Sequence, residues 1–264
     1  MATKGKMKAA DKSKIVKKVM PPLRDRYGPA PKPQNLPLLE HLILAILSED
    51  ATDAKALTVF ERFKHEYFDW NEVRVSSVTE LREVMRELPD PDNRAMRLKG
   101  TLKQIFESRY SFDIEDWRKQ PHKEVTRRLG ELPASSQYVA ARLIRDGMKG
   151  TAFPIDSNAL RVLQRLGIAK ADDKPEDIAL SLARIVGKHR NHEFTYLVAQ
   201  LATDVCLPAE PECARCAIAN LCATGAQRLK PAEEARPART TKRAKKKVAA
   251  KTKVATRKAK KTAK

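Results

Sequence analysis

Residues 206–222 read CLPAEPECARCAIANLC and hold all four cysteines of the 264-residue chain. Cys206, Cys213, Cys216 and Cys222 follow the spacing C-x6-C-x2-C-x5-C. A secreted disulfide framework does not fit, because no signal-peptide pattern opens the chain and no further cysteine lies elsewhere. Structural zinc fits poorly too. Zinc ribbons present two separate C-x2-C knuckles, and only Cys213 and Cys216 stand at that separation. What remains is one Cys-ligated iron–sulfur cluster in a compact loop, and the spacing is not that of a ferredoxin. Four protein thiolates leave no open coordination position, so such a cluster is expected to be structural rather than hydrolytic.

Upstream of the cysteines the chain shows helical patterns and almost no strand alternation. The stretch PLLEHLILAILSE (37–49) is a strongly apolar helix, and a second helix follows over 53–67 after a break at Asp50–Thr52. Ser77 and Glu80 have capping-box spacing ahead of Leu81, Val84, Met85 and Leu88. Further helices are predicted over 93–109, 122–130 and 135–148. Asp156 is placed to cap a helix over 157–166 that ends at Gly167. Pro175 fits the first position of a helix over 175–186, and the last helix, 191–204, runs into the cysteines. About nine short helices and no sheet predict an all-α protein.

The formal charge is +20, from 53 Lys+Arg against 33 Asp+Glu. Residues 1–18 carry +6 and residues 237–264 carry +13 without one acid, which leaves 19–236 close to neutral. The C-terminal stretch, with Lys245, Lys246 and Lys247 at its densest point, lacks aromatic residues and apolar periodicity and reads as disordered. Its competence is phosphate neutralisation with counterion release. It resembles the basic tails of linker histones. A membrane surface is the weaker partner, since no bulky apolar residues accompany the charge, and no apolar run is long enough to span a bilayer.

With the cysteine spacing directly after a helix near the end of an all-α chain, the sequence resembles the endonuclease III family of helix-hairpin-helix (HhH-GPD) DNA glycosylases. Three more segments carry the likeness. PLLEHLILAILSEDATDAKA (37–56) is similar to the first core helix and the turn after it, ELPASSQYVAARLI (131–144) to the hairpin, and FPIDSNALRVLQRLG (153–167) to the segment with the catalytic aspartate. The resemblance spans roughly residues 20–225. It implies a two-lobed all-α fold with a helical barrel domain over 37–150 and an iron–sulfur cluster domain over 151–225. Residues 20–36 would pack with the cluster domain, between a basic arm over 1–19 and a disordered tail over 226–264. It also implies one 4Fe–4S cluster on Cys206, Cys213, Cys216 and Cys222, and a monomer acting on double-stranded DNA in the cytoplasm, on the nucleoid.

Such enzymes flip a damaged or mispaired base out of the stack and break its N-glycosidic bond. Asp156 matches the aspartate that stabilises the oxocarbenium-like transition state. The lysine that forms a Schiff base in bifunctional members corresponds here to Tyr138, and a phenol cannot do that chemistry. The resemblance therefore implies a monofunctional glycosylase. Three elements depart from the family pattern. The hairpin, usually Leu-Pro-Gly-hydrophobic-Gly, reads Leu132-Pro133-Ala134-Ser135-Ser136 before Gln137, without the glycines that let backbone N–H groups approach a phosphate. Asp50 stands where endonuclease III has the glutamine that fills the gap left by the flipped base. The first cluster loop, usually basic, is Leu207–Glu212 with two acids. These departures support an alternative: a catalytically inactive or weakly active DNA-binding iron–sulfur protein that holds DNA mainly through its basic tails.

Overall fold

The computed structural model describes residues 7–229. The basic stretch with Lys245, Lys246 and Lys247 lies outside the described residues. Among those described there is no strand. Twelve α-helices follow in order: α1 (Ala9–Tyr27), α2 (Leu38–Ser48), α3 (Asp53–Glu66), α4 (Trp70–Val75), α5 (Val78–Val84), α6 (Pro91–Arg109), α7 (His122–Gly130), α8 (Gln137–Arg142), α9 (Ser157–Leu166), α10 (Pro175–Val186), α11 (Asn191–Asp204) and α12 (Ala223–Arg228).

Apolar side chains gather into two cores, one per lobe. In the first lobe, α2 is the central element. Leu38, Leu39, Leu42, Ile43, Ala45, Ile46 and Leu47 are all buried, so the helix is covered on nearly every side. Phe60 and Phe63 of α3, Leu98 and Leu102 of α6, and Val139 of α8 close around it. The second core joins Phe153, Leu163, Leu197, Leu201 and Ile218. This is the two-lobed all-α architecture expected from the sequence.

The N-terminal segment departs from expectation. Residues 1–19 do not form an arm throughout, because α1 begins at Ala9. Val16, Val19, Met20 and Leu23 recur at helical spacing and are buried in the second core, so the lysines between them form the solvent face of an amphipathic helix. Each such burial contributes roughly 1.5–3 kcal/mol. Helix α1 packs on α10 and α11 despite Pro21 and Pro22 in its interior.

Local signals place the other helices. The Ser77–Glu80 capping box opens α5, Asp156 caps α9, and Pro175 stands in the first turn of α10. Gly167 takes the left-handed conformation (φ 79°) that ends α9. The predicted helix over 135–148 begins only at Gln137 and loosens into a π-helical turn, Leu143–Gly147. That turn lies close against α2. A Cβ on Gly147 would stand 2.7 Å from a Leu38 methyl, so the missing side chain permits the approach.

Candidate active site

Segment 153–156 crosses from the first lobe to α9 and presents Asp156 at the helix N-terminus. Gln137, the first residue of α8, holds that segment like a strand partner. Its side-chain N–H donates to the Phe153 carbonyl (2.9 Å), and its Oε1 accepts from the Ile155 N–H (3.0 Å). Asp156 Oδ1 accepts from the Ala159 N–H at 2.7 Å, and Oδ2 accepts from the Asp50 N–H at 3.3 Å. Burial pushes the Asp156 carboxyl up from its ordinary 3.8 to about 6. The Ala159 N–H pulls the other way, and the charge of Asp50 adds to the rise. Above that value the group is a carboxylate in a poorly hydrated place, the state in which it stabilises a developing cation most strongly.

Asp156 and Tyr138 line one small cavity together with Asp53, Arg142, Arg145 and His192. The Tyr138 hydroxyl donates to the Ser48 carbonyl (3.2 Å) and accepts from Arg142 Nη1 (3.1 Å). Arg142 also pairs with Asp53 (2.7 Å) and Asp146 (2.9 Å), while Arg145 grips Asp146 with two nitrogens and Thr195 with the third. Burial raises the Asp146 carboxyl, but Arg145 and Arg142 outweigh it and hold the group at about 2. Burial pushes the Tyr138 phenol up and the His192 imidazole down, so both are neutral at physiological pH.

At its other end α9 holds the cysteine loop. Arg161 donates to the carbonyls of Cys206 and Ala202, each at 3.0 Å. Arg165 donates to the carbonyls of Cys206, Leu207 and Pro208. The four cysteines line one small pocket, otherwise walled largely by apolar side chains such as Val162, Leu166, Leu201 and Ile218. Among the described residues no three Cys, His, Asp or Glu side chains converge closely enough to hold a single ion. Burial pushes the Cys216 thiol up, and the charges of Cys222, Cys206 and Cys213 add to it. Ionising the set requires a cation among the sulfurs, which a metal centre on four thiolates would supply.

No family model matches the chain. It is similar to a thymine-DNA glycosylase of Aeropyrum pernix, 27% identical over 187 residues that cover 69% of this chain and 80% of that protein. It is likewise similar to an endonuclease III of Synechocystis, 26% identical over 185 residues covering 69% and 78%. Among solved structures, a trapped endonuclease III–DNA covalent intermediate superposes with a TM-score of 0.66 at 20% identity, over 83% of this chain and 99% of that one. A thermostable thymine-DNA glycosylase superposes at 0.61 with 18% identity, over 83% and 98%. The chain shares the all-α fold of these DNA glycosylase structures and is similar in sequence to endonuclease III and thymine-DNA glycosylase.

Residues 131–136, where the resemblance places the hairpin, close without glycine conformations, since none of them has a positive φ. Leu132 and Ala134 are buried. The Ala134 N–H donates to the Thr101 hydroxyl (3.1 Å), and the Ala134 carbonyl accepts from Arg97 (3.1 Å). Pro133 seats over Gly100, where a Cβ would come within 3.0 Å of its ring. The Ser136 hydroxyl caps α8 through the Val139 N–H, and the Ser135 N–H returns to Leu132. The Ala134 amide thus points into the protein, and the Gln137 amide is committed to segment 153–155.

Asp50, expected at the wedge position, has its carboxylate committed to α9. It accepts from the Ser157 N–H (2.9 Å) and the Ser157 hydroxyl (2.5 Å). A helix N-terminus attracts an anion, which is the physical reason. The sequence reading did not single out Arg142, Arg145, Asp53, His192 or the α9 arginines. One signal was available. Tyr138 and Arg142 stand four apart, as do Arg161 and Arg165, which places each pair on one helix face.

Proposed function

We propose that this protein is a DNA-repair glycosylase that breaks the N-glycosidic bond of a flipped base and leaves an abasic site. The observation that carries this is Asp156, buried and hydrogen-bonded at the N-terminus of α9, on the wall of a cavity between hairpin helix and cluster lobe. A flipped nucleotide entering there would meet a carboxylate already oriented by two backbone N–H groups. As the bond to the base stretches, positive charge develops on the sugar. The Asp156 carboxylate stabilises it without reorganisation and orients the attacking water.

The reaction stops at hydrolysis. Tyr138 occupies the position of the family lysine, and its hydroxyl is held between Ser48 and Arg142 as a neutral phenol. With no amine there, no Schiff base forms at this position and strand cleavage does not follow.

Cys206, Cys213, Cys216 and Cys222 would hold one 4Fe–4S cluster. Bound there, it supplies a covalent cross-link that fixes the loop against α9 and performs no hydrolytic step. The DNA partner fits the relatives, since solved complexes of endonuclease III contain DNA. Among the described residues no helix is long and apolar enough to cross a membrane. A nucleoid-associated monomer remains the simplest reading.

The inward Ala134 amide favours a second reading, a DNA-binding protein of the same fold with little or no catalysis. One experiment separates the two. Wild type and Asp156→Asn are assayed on duplexes carrying uracil, mismatched thymine, oxidised bases and alkylated bases. The enzyme reading expects excision of at least one base by wild type and its loss in the variant. DNA binding without excision by either protein assigns the second reading.

A further inference from the structure

We propose that Asp50 is a positioning residue for Asp156: its carboxylate clamps the N-terminus of α9 while its backbone N–H orients the Asp156 carboxylate. This rests on the reading of Asp156 as the catalytic carboxylate.

The two aspartates are interlocked. Asp50 Oδ1 accepts from both the N–H and the hydroxyl of Ser157, the residue next to Asp156. In return the Asp50 N–H donates to Asp156 Oδ2, while Ala159 holds Oδ1. Both carboxylate oxygens of Asp156 are thus fixed, one from its own helix and one from the α2–α3 turn.

That turn is itself tied down by hydrogen bonds and an ion pair. The Ser48 carbonyl accepts from the Tyr138 hydroxyl, and the Glu49 carbonyl accepts from the guanidinium of buried Arg94 at 2.7 Å. The Glu49 carboxylate pairs with Arg97 at 2.8 Å, and the Ala51 N–H returns to Ser48. Asp50 adopts φ 56°, the left-handed region that a non-glycine residue occupies at a cost of about 1–3 kcal/mol. Such a conformation persists where surrounding contacts over-determine it, as they do here. A gap-filling side chain needs a free tip. Asp50 has a committed one, held by the positive end of α9. The departure from glutamine at this position is therefore accounted for by a contact within the protein.

The arrangement also acts on protonation. Asp156 is faced by Asp50 from the α2–α3 turn, by Asp53 from α3, and by Tyr138, Arg142 and Arg145 from α8 and its π turn. Arg161 on its own helix and His192 and Tyr196 on α11 complete the surroundings. The negative charge of Asp50 opposes ionisation of Asp156 and adds to the larger effect of burial.

Two substitutions separate clamp from charge. Asp50→Asn tolerates the left-handed backbone and keeps an oxygen for Ser157, but removes the charge. Asp50→Gly keeps the backbone conformation and removes the clamp. The first readout is the titration of the Asp156 side-chain carboxyl by carbon NMR in the free, full-length, cluster-loaded protein. It needs no activity. In Asp50→Asn this titration moves below its wild-type midpoint, and the acid limb of the excision rate moves with it. In Asp50→Gly, kcat falls on the order of tenfold or more while KM changes by less than about threefold, the pattern of lost orientation.

The proposal is overturned if the Asp156 titration is unmoved in Asp50→Asn. It is also overturned if Asp50→Gly keeps its kcat and loses only DNA affinity, which would assign Asp50 a role on the duplex. Should Asp50→Gly fail to fold, the Asn titration alone decides. If wild type excises nothing, the glycosylase reading fails, and the titration still tests whether Asp50 acts on the Asp156 carboxyl.

Discussion

Replacing Asp156 with Asn should abolish excision and make the protein more stable at neutral pH. Holding the carboxyl at about 6 instead of 3.8 means that its charged form is disfavoured in the folded state by about 3 kcal/mol. Asn has nearly the same shape, caps helices as well as Asp, and can still accept from the Ala159 N–H. It cannot accept from the Asp50 N–H at the other oxygen, a loss of about 1 kcal/mol. The net gain is about 2 kcal/mol above pH 6.5, or about 4–8 °C in Tm for a chain of this size. The sign follows from linkage. The folded pKa lies above the unfolded one, so between about 4 and 6 the folded state binds more protons, and its stability falls as pH rises through that window. Below pH 4 both states are protonated and the advantage of the variant disappears. Urea unfolding of both proteins from pH 4 to pH 8 measures the difference directly. A variant that is less stable at pH 7.5, or a difference that does not change with pH, would show that Asp156 is an ordinary helix cap, and the argument for a poised carboxylate would collapse.

Other outcomes are expected from the same structure. Borohydride should trap no covalent adduct between wild type and abasic DNA, and Tyr138→Phe should lower stability by about 1 kcal/mol through loss of the Ser48 and Arg142 contacts, measured by urea unfolding. A trapped adduct in wild type would contradict the hydrolysis-only reading, and a Tyr138→Phe variant as stable as wild type would contradict the engaged phenol. Deleting residues 237–264, which carry +13, should weaken DNA binding and flatten its dependence on salt, as read from affinities between about 50 and 200 mM salt. An unchanged salt slope would mean that the folded lobes supply the phosphate contacts. The purified protein should be brown with about four irons per chain, and Cys213→Ser should lose iron and lower the thermal midpoint. A colourless protein with one zinc would overturn the cluster assignment.

Helix α9 joins the two halves of this design. Its N-terminus carries Asp156 and receives Asp50, and its Arg161 and Arg165 reach the carbonyls of the first cysteine loop. Loss of the cluster would release that loop from one side only, because the arginine contacts anchor it from the other. Reduced stability with partial retention of the Asp156 geometry is the expected consequence of ligand substitution.

Much of this protein was legible from short-range pattern. Helix positions followed from caps and apolar spacing, because these are local properties: Ser77 with Glu80, Asp156 with Gly167, and Pro175 each act within one turn of their own helix. The gathering of the four cysteines followed from their closeness along the chain. Helix α1 was partly hidden, since its lysines dominate the composition and its stripe of Val16, Val19, Met20 and Leu23 becomes a signal only once a partner surface exists. The roles of Asp50 and Gln137 were beyond reach of the sequence. Asp50 meets Ser157 across 107 positions, and Gln137 meets Phe153 across a change of lobe. Residue type said only that a carboxylate stands at the expected wedge position. Only the tertiary structure, by bringing the positive end of α9 against the α2–α3 turn, decided where that charge is held.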